Sequence, residues 1–236
     1  MDSNCSSTSQ RLDLPGGLID EQVQDFTDMD EAERVYIPEI EEFVKKAIGA
    51  DHVVAYRPVI RKTAAVKRPQ DQPVADDVHV DYTTRWSSNV GTQYLGSDWA
   101  RQYSRLLIVS NWRTFSAPPQ DWPLAVCDSQ SIPNADGITN TLVYQEDIPD
   151  IHNLPPSPES DDSNGKVVGE GTIFKYSDSM RWFYFSHMNR DEMLIIKLND
   201  SDKSKAWRTP HCAFFNPEEG AVPRESIEVR MCCYFK

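Results

Sequence analysis

The sequence predicts a mainly β protein with a flanking helix, a β-sandwich or jelly roll, on three observations. Short runs rich in Val, Ile, Phe and Tyr recur along the chain, separated by clusters of Pro, Gly, Asn and Asp. One stretch ahead of them, Asp30 to Ala50, carries apolar residues at helical spacing. No internal repeat points to a solenoid or propeller. At 236 residues the chain fits one domain with a substantial core.

Each element follows from its own residues. Positions 1–30 are polar, Asp- and Ser-rich, and are expected to be disordered or loosely attached, so the folded domain is placed at 31–236. In the helix, Ile37, Ile40, Phe43, Val44 and Ile48 return every three or four residues, and Gly49 stops it. Pro38 must open or kink that helix, because it has no N–H to donate. Its expected role is a brace on the outside of a sheet. HVVAYRPVIRK (52–62) and the segment around His79 read as strands joined by the charged connector 67–77. After an unassigned Ser/Trp/Gly stretch at 85–100, strands are expected in 105–115, 121–130 and 141–145. Residues 146–171 have many Pro, Ser, Asp and Gly and no periodicity, so they read as one long surface loop, a lid or an insertion. Strands resume at 172–176, 181–188, 192–200, 211–215 and 225–235.

Composition removes several function classes. Lys and Arg number 24 against 37 Asp and Glu, and the net charge of −13 disfavours nucleic acid and anionic membranes as partners. No apolar run approaches the ~18 residues of a membrane span. The first residues lack the basic start and apolar stretch of a secretory signal. Five Cys without CxxC spacing fit reduced thiols better than a disulfide framework. The expectation is a cytoplasmic protein.

The chemistry-bearing pattern starts at VHVDY (78–82). On a strand, His79 and Asp81 point to one face, and Val78, Val80 and Tyr82 to the other. With one more imidazole, His211 in TPHCAFF, they would form the two-His, one-carboxylate triad that holds iron(II) and leaves positions open for oxygen and an organic co-substrate. The last strand, RESIEVRM, alternates: Glu225, Ile227, Val229 and Met231 on one face, Arg224, Ser226, Glu228 and Arg230 on the other. Its polar side faces either water or a barrel interior. An Arg fork with a Ser hydroxyl two residues on would suit the far carboxylate of 2-oxoglutarate. Arg224 lies 13 residues after His211, room for a turn and a neighbouring strand.

HVDYT, NWR, QDWPLAVCDS, RWFYF, DEMLIIK, PHCAFF and PRESIEVR, in that order, resemble the fungal gibberellin-desaturase and cephamycin-methoxylase-like group of iron(II)/2-oxoglutarate-dependent oxygenases. The resemblance runs from about Tyr36 to the C-terminus. It implies a double-stranded β-helix (a cupin-like jelly roll), metal ligands at His79, Asp81 and His211, and a 2-oxoglutarate anchor at Arg224 and Ser226. Asn111 falls where such enzymes often place a contact to cofactor or substrate. The implied activity is oxidation of a small secondary-metabolite intermediate by hydroxylation, desaturation, epoxidation or rearrangement. The chain begins later than the group leads one to expect. That shortening would either open the site or need a partner chain to cover it, in a homo- or heterodimer.

Other readings stay open. His79 and Asp81 can be a structural ion pair, and His211 an ordinary histidine. His187 and His152 are rival imidazoles. Trp112, Trp122 and Trp182 are core residues or substrate platforms. Arg230 contacts a carboxylate or substrate, or pairs with Glu228. Cys212 adjoins His211 but points to the opposite face, so it is not counted as a ligand. At the level of the whole protein, the alternatives are a non-catalytic partner subunit and a redox-neutral cyclase or isomerase.

Overall fold

A computed structural model describes residues 9–13, 23, 25–56, 58–64, 71–144 and 166–236. The elements in order are β1 (Ser9–Asp13), α1 (Met29–Glu31), a π-turn (Ala32–Tyr36), α2 (Ile37–Ile48), β2 (His52–Ala55), β3 (Val59–Lys62) and β4 (His79–Val80). Then come α3 (Thr84–Leu95), α4 (Trp99–Gln102), β5 (Arg105–Thr114), β6 (Leu124–Cys127), β7 (Gly137–Tyr144) and β8 (Lys166–Phe174). The chain closes with β9 (Trp182–Tyr184), β10 (Glu192–Asp200), β11 (His211–Ala213) and β12 (Glu225–Phe235).

These strands form two antiparallel sheets, the double-sheet jelly roll expected from the sequence. The major sheet runs β1-β10-β5-β12-β2, with β3 also paired to β12. The minor sheet runs β7-β8-β4-β11-β6-β9. β12 is the hinge of the arrangement. Its first half pairs with β3 (Ser226↔Arg61, Ile227↔Ile60) and its second half with β2 (Cys233↔Val53), while β5 follows it along ten residue pairs on the other side.

The alternation read from RESIEVRM is the alternation found. Ile227, Val229 and Met231 are fully buried under the helix layer with Tyr36, Ile40, Val44 and Val109. Cys232 and Tyr234, of opposite parity, pack between the sheets with Ile108, Leu194, Ile196 and Leu198. Helix α2 is the expected brace on the outer face. Gly49 ends it at φ +69, a left-handed conformation that a Cβ would disfavour. Pro38 sits in its first turn, directly after the π-turn.

Three segments differ from the sequence reading. The 85–100 stretch holds α3, capped by the Thr83 hydroxyl on the Trp86 N–H. Its apolar face is thin (Val90 and Leu95), which is why helical periodicity did not show. The part of the 146–171 loop that is described, from Lys166 on, is not loop but the start of β8, paired along β7. Its glycines hid the strand; residues 145–165, including His152, lie outside the described residues. In the polar 1–30 stretch, β1 pairs with β10, and Val23 and Phe26 are buried in the helix-side core.

Candidate metal and cofactor site

The site forms where the minor sheet faces β12. His79 on β4 pairs directly with His211 on β11, and their ring centroids lie 4.5 Å apart. Asp81 follows β4 by one residue, and its Oδ1 is 3.6 Å from His79 Nε2. One ligand atom from each of the three residues lies within 4.8 Å of the others, the only such metal-capable group among the described residues. The backbone orients both rings. His79 Nδ1 lies 2.7 Å from the Asp77 carbonyl and His211 Nδ1 3.0 Å from the Thr209 carbonyl. Each Nδ1 donates its proton there, which leaves Nε2 as the nitrogen that can ligate.

Electrostatics favour the ligating forms. Burial, reinforced by the nearby His79, pushes His211 down to about 4, so it is neutral at pH 7. Burial alone would raise Asp81, but Arg230 and the two imidazoles outweigh it and hold the carboxyl well below its usual range. Arg230 donates from Nε to Asp81 Oδ2 at 3.3 Å and also touches Glu228. This answers the Arg230 question: it is a partner of both Asp81 and Glu228. The backbone beside Asp81 is tightly fitted as well. A Cβ on Gly171 would lie 2.9 Å from the Val80 carbonyl oxygen and 3.3 Å from that of Asp81.

Two spaces meet at His79. The inner one is narrow, about 20 Å³, and is lined by Arg61, Ser110, Trp112, His211, Arg224 and Glu228. The outer one, about 390 Å³, is the mouth; Tyr82, Trp86, Leu142, Thr172, Ile173 and Arg230 line it with His79 and Asp81. Arg224 is 1% exposed, and its Nη1 donates to the Trp122 carbonyl at 2.8 Å. Its Nε is buried without a hydrogen-bond partner among the described residues, and so is Ser226 Oγ. Orphaned donors of this kind in a native interior call for an explanation, and a bound anion supplies one.

Of the residues singled out in the sequence, the structure brings together His79, Asp81, His211 and Arg224, with Ser226 on the same strand face. Asn111 does not join them. It is fully buried on the helix side, accepting from the Tyr36 hydroxyl at 3.0 Å and donating to Met193 Sδ. The reason is strand parity: on β5, Ser110 and Trp112 turn inward, so the residue between them turns outward. Trp112 thus lines the site, whereas Trp122 meets Phe215 in a tilted ring contact and Trp182 lies on the outer surface. His187 is exposed and paired with Glu218. Cys212 faces outward into an apolar groove of about 580 Å³ with Phe183, Tyr184 and Phe214, the far side of the sheet from the triad. Sequence reasoning missed Ser110, Arg61 and the double role of Glu228. Parity counted from Trp112 would have found the first.

A jelly roll with two imidazoles and a carboxylate converging on one point, beside a buried guanidinium, is an architecture that can hold a divalent metal with open positions. The chain belongs to the family described as the oxidoreductase/YMDC permease-like domain, which matches residues 18–234. It is 32% identical over 203 residues to the Fe(II)/2-oxoglutarate-dependent dioxygenase NvfI of Aspergillus novofumigatus, covering 85% of this chain and 66% of that protein. It is 36% identical over 141 residues to the hydroxylase/desaturase AsaB of Aspergillus flavus, covering 56% of this chain and 57% of the relative. The chain thus spans less than two-thirds of either relative. A solved structure of the iron and alpha-ketoglutarate-dependent endoperoxidase NvfI superposes with a TM-score of 0.78 at 28% identity, covering 100% of this chain and 81% of that one. None of the described helices is long and apolar enough to cross a membrane.

Proposed function

We propose that this chain is an iron(II)/2-oxoglutarate-dependent oxygenase that oxidises a small organic intermediate of secondary metabolism in the cytoplasm. The observation that carries the reading is the pairing of the His79–Asp81–His211 cluster with the buried, unpartnered Arg224 Nε and Ser226 Oγ. The donor set fits the group: two imidazole nitrogens and one carboxylate suit iron(II), and a guanidinium with a hydroxyl suits a carboxylate tail. His79, Asp81 and His211 would hold the metal, and Arg224 and Ser226 the far carboxylate of 2-oxoglutarate. When bound, these groups supply the oxidising chemistry, coupling decarboxylation of 2-oxoglutarate to succinate with oxidation of the substrate by oxygen.

The protein's part is position and exclusion. The Asp77 and Thr209 carbonyls orient both rings, and Arg230 holds the Asp81 carboxylate through both of its oxygens. Trp112 and Ile196 wall the inner space against water. The mouth sets Tyr82, Trp86, Leu142 and Ile173 beside Asp77, Glu170 and Arg230, suited to a substrate with an apolar body and polar groups. The cytoplasmic setting is supported by the free thiols of Cys127, Cys212, Cys232 and Cys233. A non-catalytic subunit would have no use for the two oriented rings and the orphaned donors.

The test is spectroscopic. Protein loaded without oxygen with iron(II) and 2-oxoglutarate should show the metal-to-ligand absorption band, and Asp81→Ala should abolish it. Absence of the band in the unmodified protein would overturn the reading.

A further inference from the structure

We infer that Arg61 is a second guanidinium for the cofactor tail: a carboxylate bound at Arg224 and Ser226 also draws Arg61 away from Glu228. The inference rests on the function proposed above and extends the anchor to a residue on another strand.

Position comes first. Arg61 sits on β3 directly opposite Ser226, and their neighbours Ile60 and Ile227 are buried together on the helix side. By strand alternation, Arg61 and Ser226 therefore share the inner face. The Arg61 side chain lines the same narrow space as Arg224. Its Nε lies 3.3 Å from Glu228 Oε2, and its Nη1 donates to the Pro73 carbonyl at 2.8 Å.

Charge comes next. Glu228 is shared, one carboxylate between Arg61 and Arg230. Asp121, the other acid near Arg224, is engaged by the Arg224 backbone N–H and the Thr63 hydroxyl. The inner space thus holds two guanidiniums with a claim on part of one carboxylate. Burial first, and then the charge of Arg61, lower Arg224 to about 10, while Glu228 and Asp121 act the other way.

Size completes the case. About 20 Å³ accommodates roughly one water. A carboxylate enters only if a side chain gives way. Each guanidinium is held by one backbone carbonyl at 2.8 Å, but Arg61 is 15% exposed, whereas Arg224 is 1% exposed and lies over the Trp112 ring, so the Nε side of Arg61 moves off Glu228 more cheaply than Arg224 moves. The exchange keeps each charge paired: Arg61 passes from Glu228 to the tail, and Arg230 retains Glu228.

The experiment measures binding to the Mn(II)-loaded protein by calorimetry under anaerobic conditions. The two probes are 2-oxoglutarate and oxalate, which chelates the metal but has no tail. Arg61→Gln should weaken 2-oxoglutarate by ~10-fold or more and leave oxalate unchanged. Glu228→Gln, which frees Arg61, should leave 2-oxoglutarate binding as tight as before or tighter. If Arg61→Gln fails to fold, Arg61→Lys carries the test with the same selective, smaller loss. An unchanged 2-oxoglutarate affinity, or equal losses for both probes, would overturn the inference. If the unmodified protein binds Mn(II) and oxalate but not 2-oxoglutarate, it is the proposed function that fails.

Discussion

Ser226→Ala should make the protein more stable and the cofactor bind more weakly. Ser226 is 1% exposed, and its Oγ has no hydrogen-bond partner among the described residues. A buried hydroxyl left unpaired costs about 1–3 kcal/mol, and alanine removes the hydroxyl while keeping the backbone of β12 in register. In a chain of this length each kcal/mol moves Tm by roughly 2–4 °C, so the ligand-free variant should melt higher. Toward 2-oxoglutarate the sign reverses. A hydrogen bond to a charged acceptor is worth about 1.5–3 kcal/mol, which corresponds to a loss of roughly 10- to 150-fold in Kd. Thermal melting of the ligand-free protein and calorimetry of the Mn(II)-loaded one read the two effects separately. A lower Tm would mean that Ser226 has a structural partner. A 2-oxoglutarate Kd within about twofold of the unmodified protein would remove Ser226 from the anchor.

Two further substitutions test the frame around the site. Gly171→Ala places a methyl against the Val80 and Asp81 carbonyls, which cannot rotate away, so it should cost about 1–3 kcal/mol and weaken Mn(II) binding. Gly169→Ala, whose nearest neighbour is Leu142 Cβ at 3.6 Å, is the control that should leave metal binding intact. Asn111→Leu strips the acceptor from the buried Tyr36 hydroxyl and should cost about 1–3 kcal/mol by thermal melting. Its Mn(II) and 2-oxoglutarate affinities should match those of the unmodified protein; loss of either would place Asn111 back in the site.

What was legible in the sequence is what strand alternation can carry over a few residues. His79 with Asp81, and Arg224 with Ser226, each lie within three positions, where side-chain parity holds whatever the rest of the chain does. The apolar half of RESIEVRM gave the helix-side core in the same way. Asn111 falls outside the cluster for the same reason that these residues fall together. It was placed by its likeness to a motif and not by parity, and its neighbours Ser110 and Trp112 were the inward pair. Helix α3 escaped because it is only half buried against the molecule, and the start of β8 because Gly169 and Gly171 weaken a strand signal. Gly171 is glycine for a tertiary reason, the approach of β8 to Asp81, which no local pattern encodes.

Arg61 marks the limit more sharply. In VIRK it reads as an ordinary basic residue near a strand end, and nothing within the segment distinguishes it from Lys62. Its neighbour pairs with Glu225 on the rim at 2.9 Å, whereas Arg61 turns into the site. Only the pairing of β3 with β12 decides between them, and that pairing joins residues more than 160 positions apart. A one-residue slip would exchange the two cations and put a lysine where the guanidinium stands. The site therefore depends on register at the β3–β12 edge as much as on its ligands. A short strand, held by four residue pairs, sets which cation meets the carboxylate.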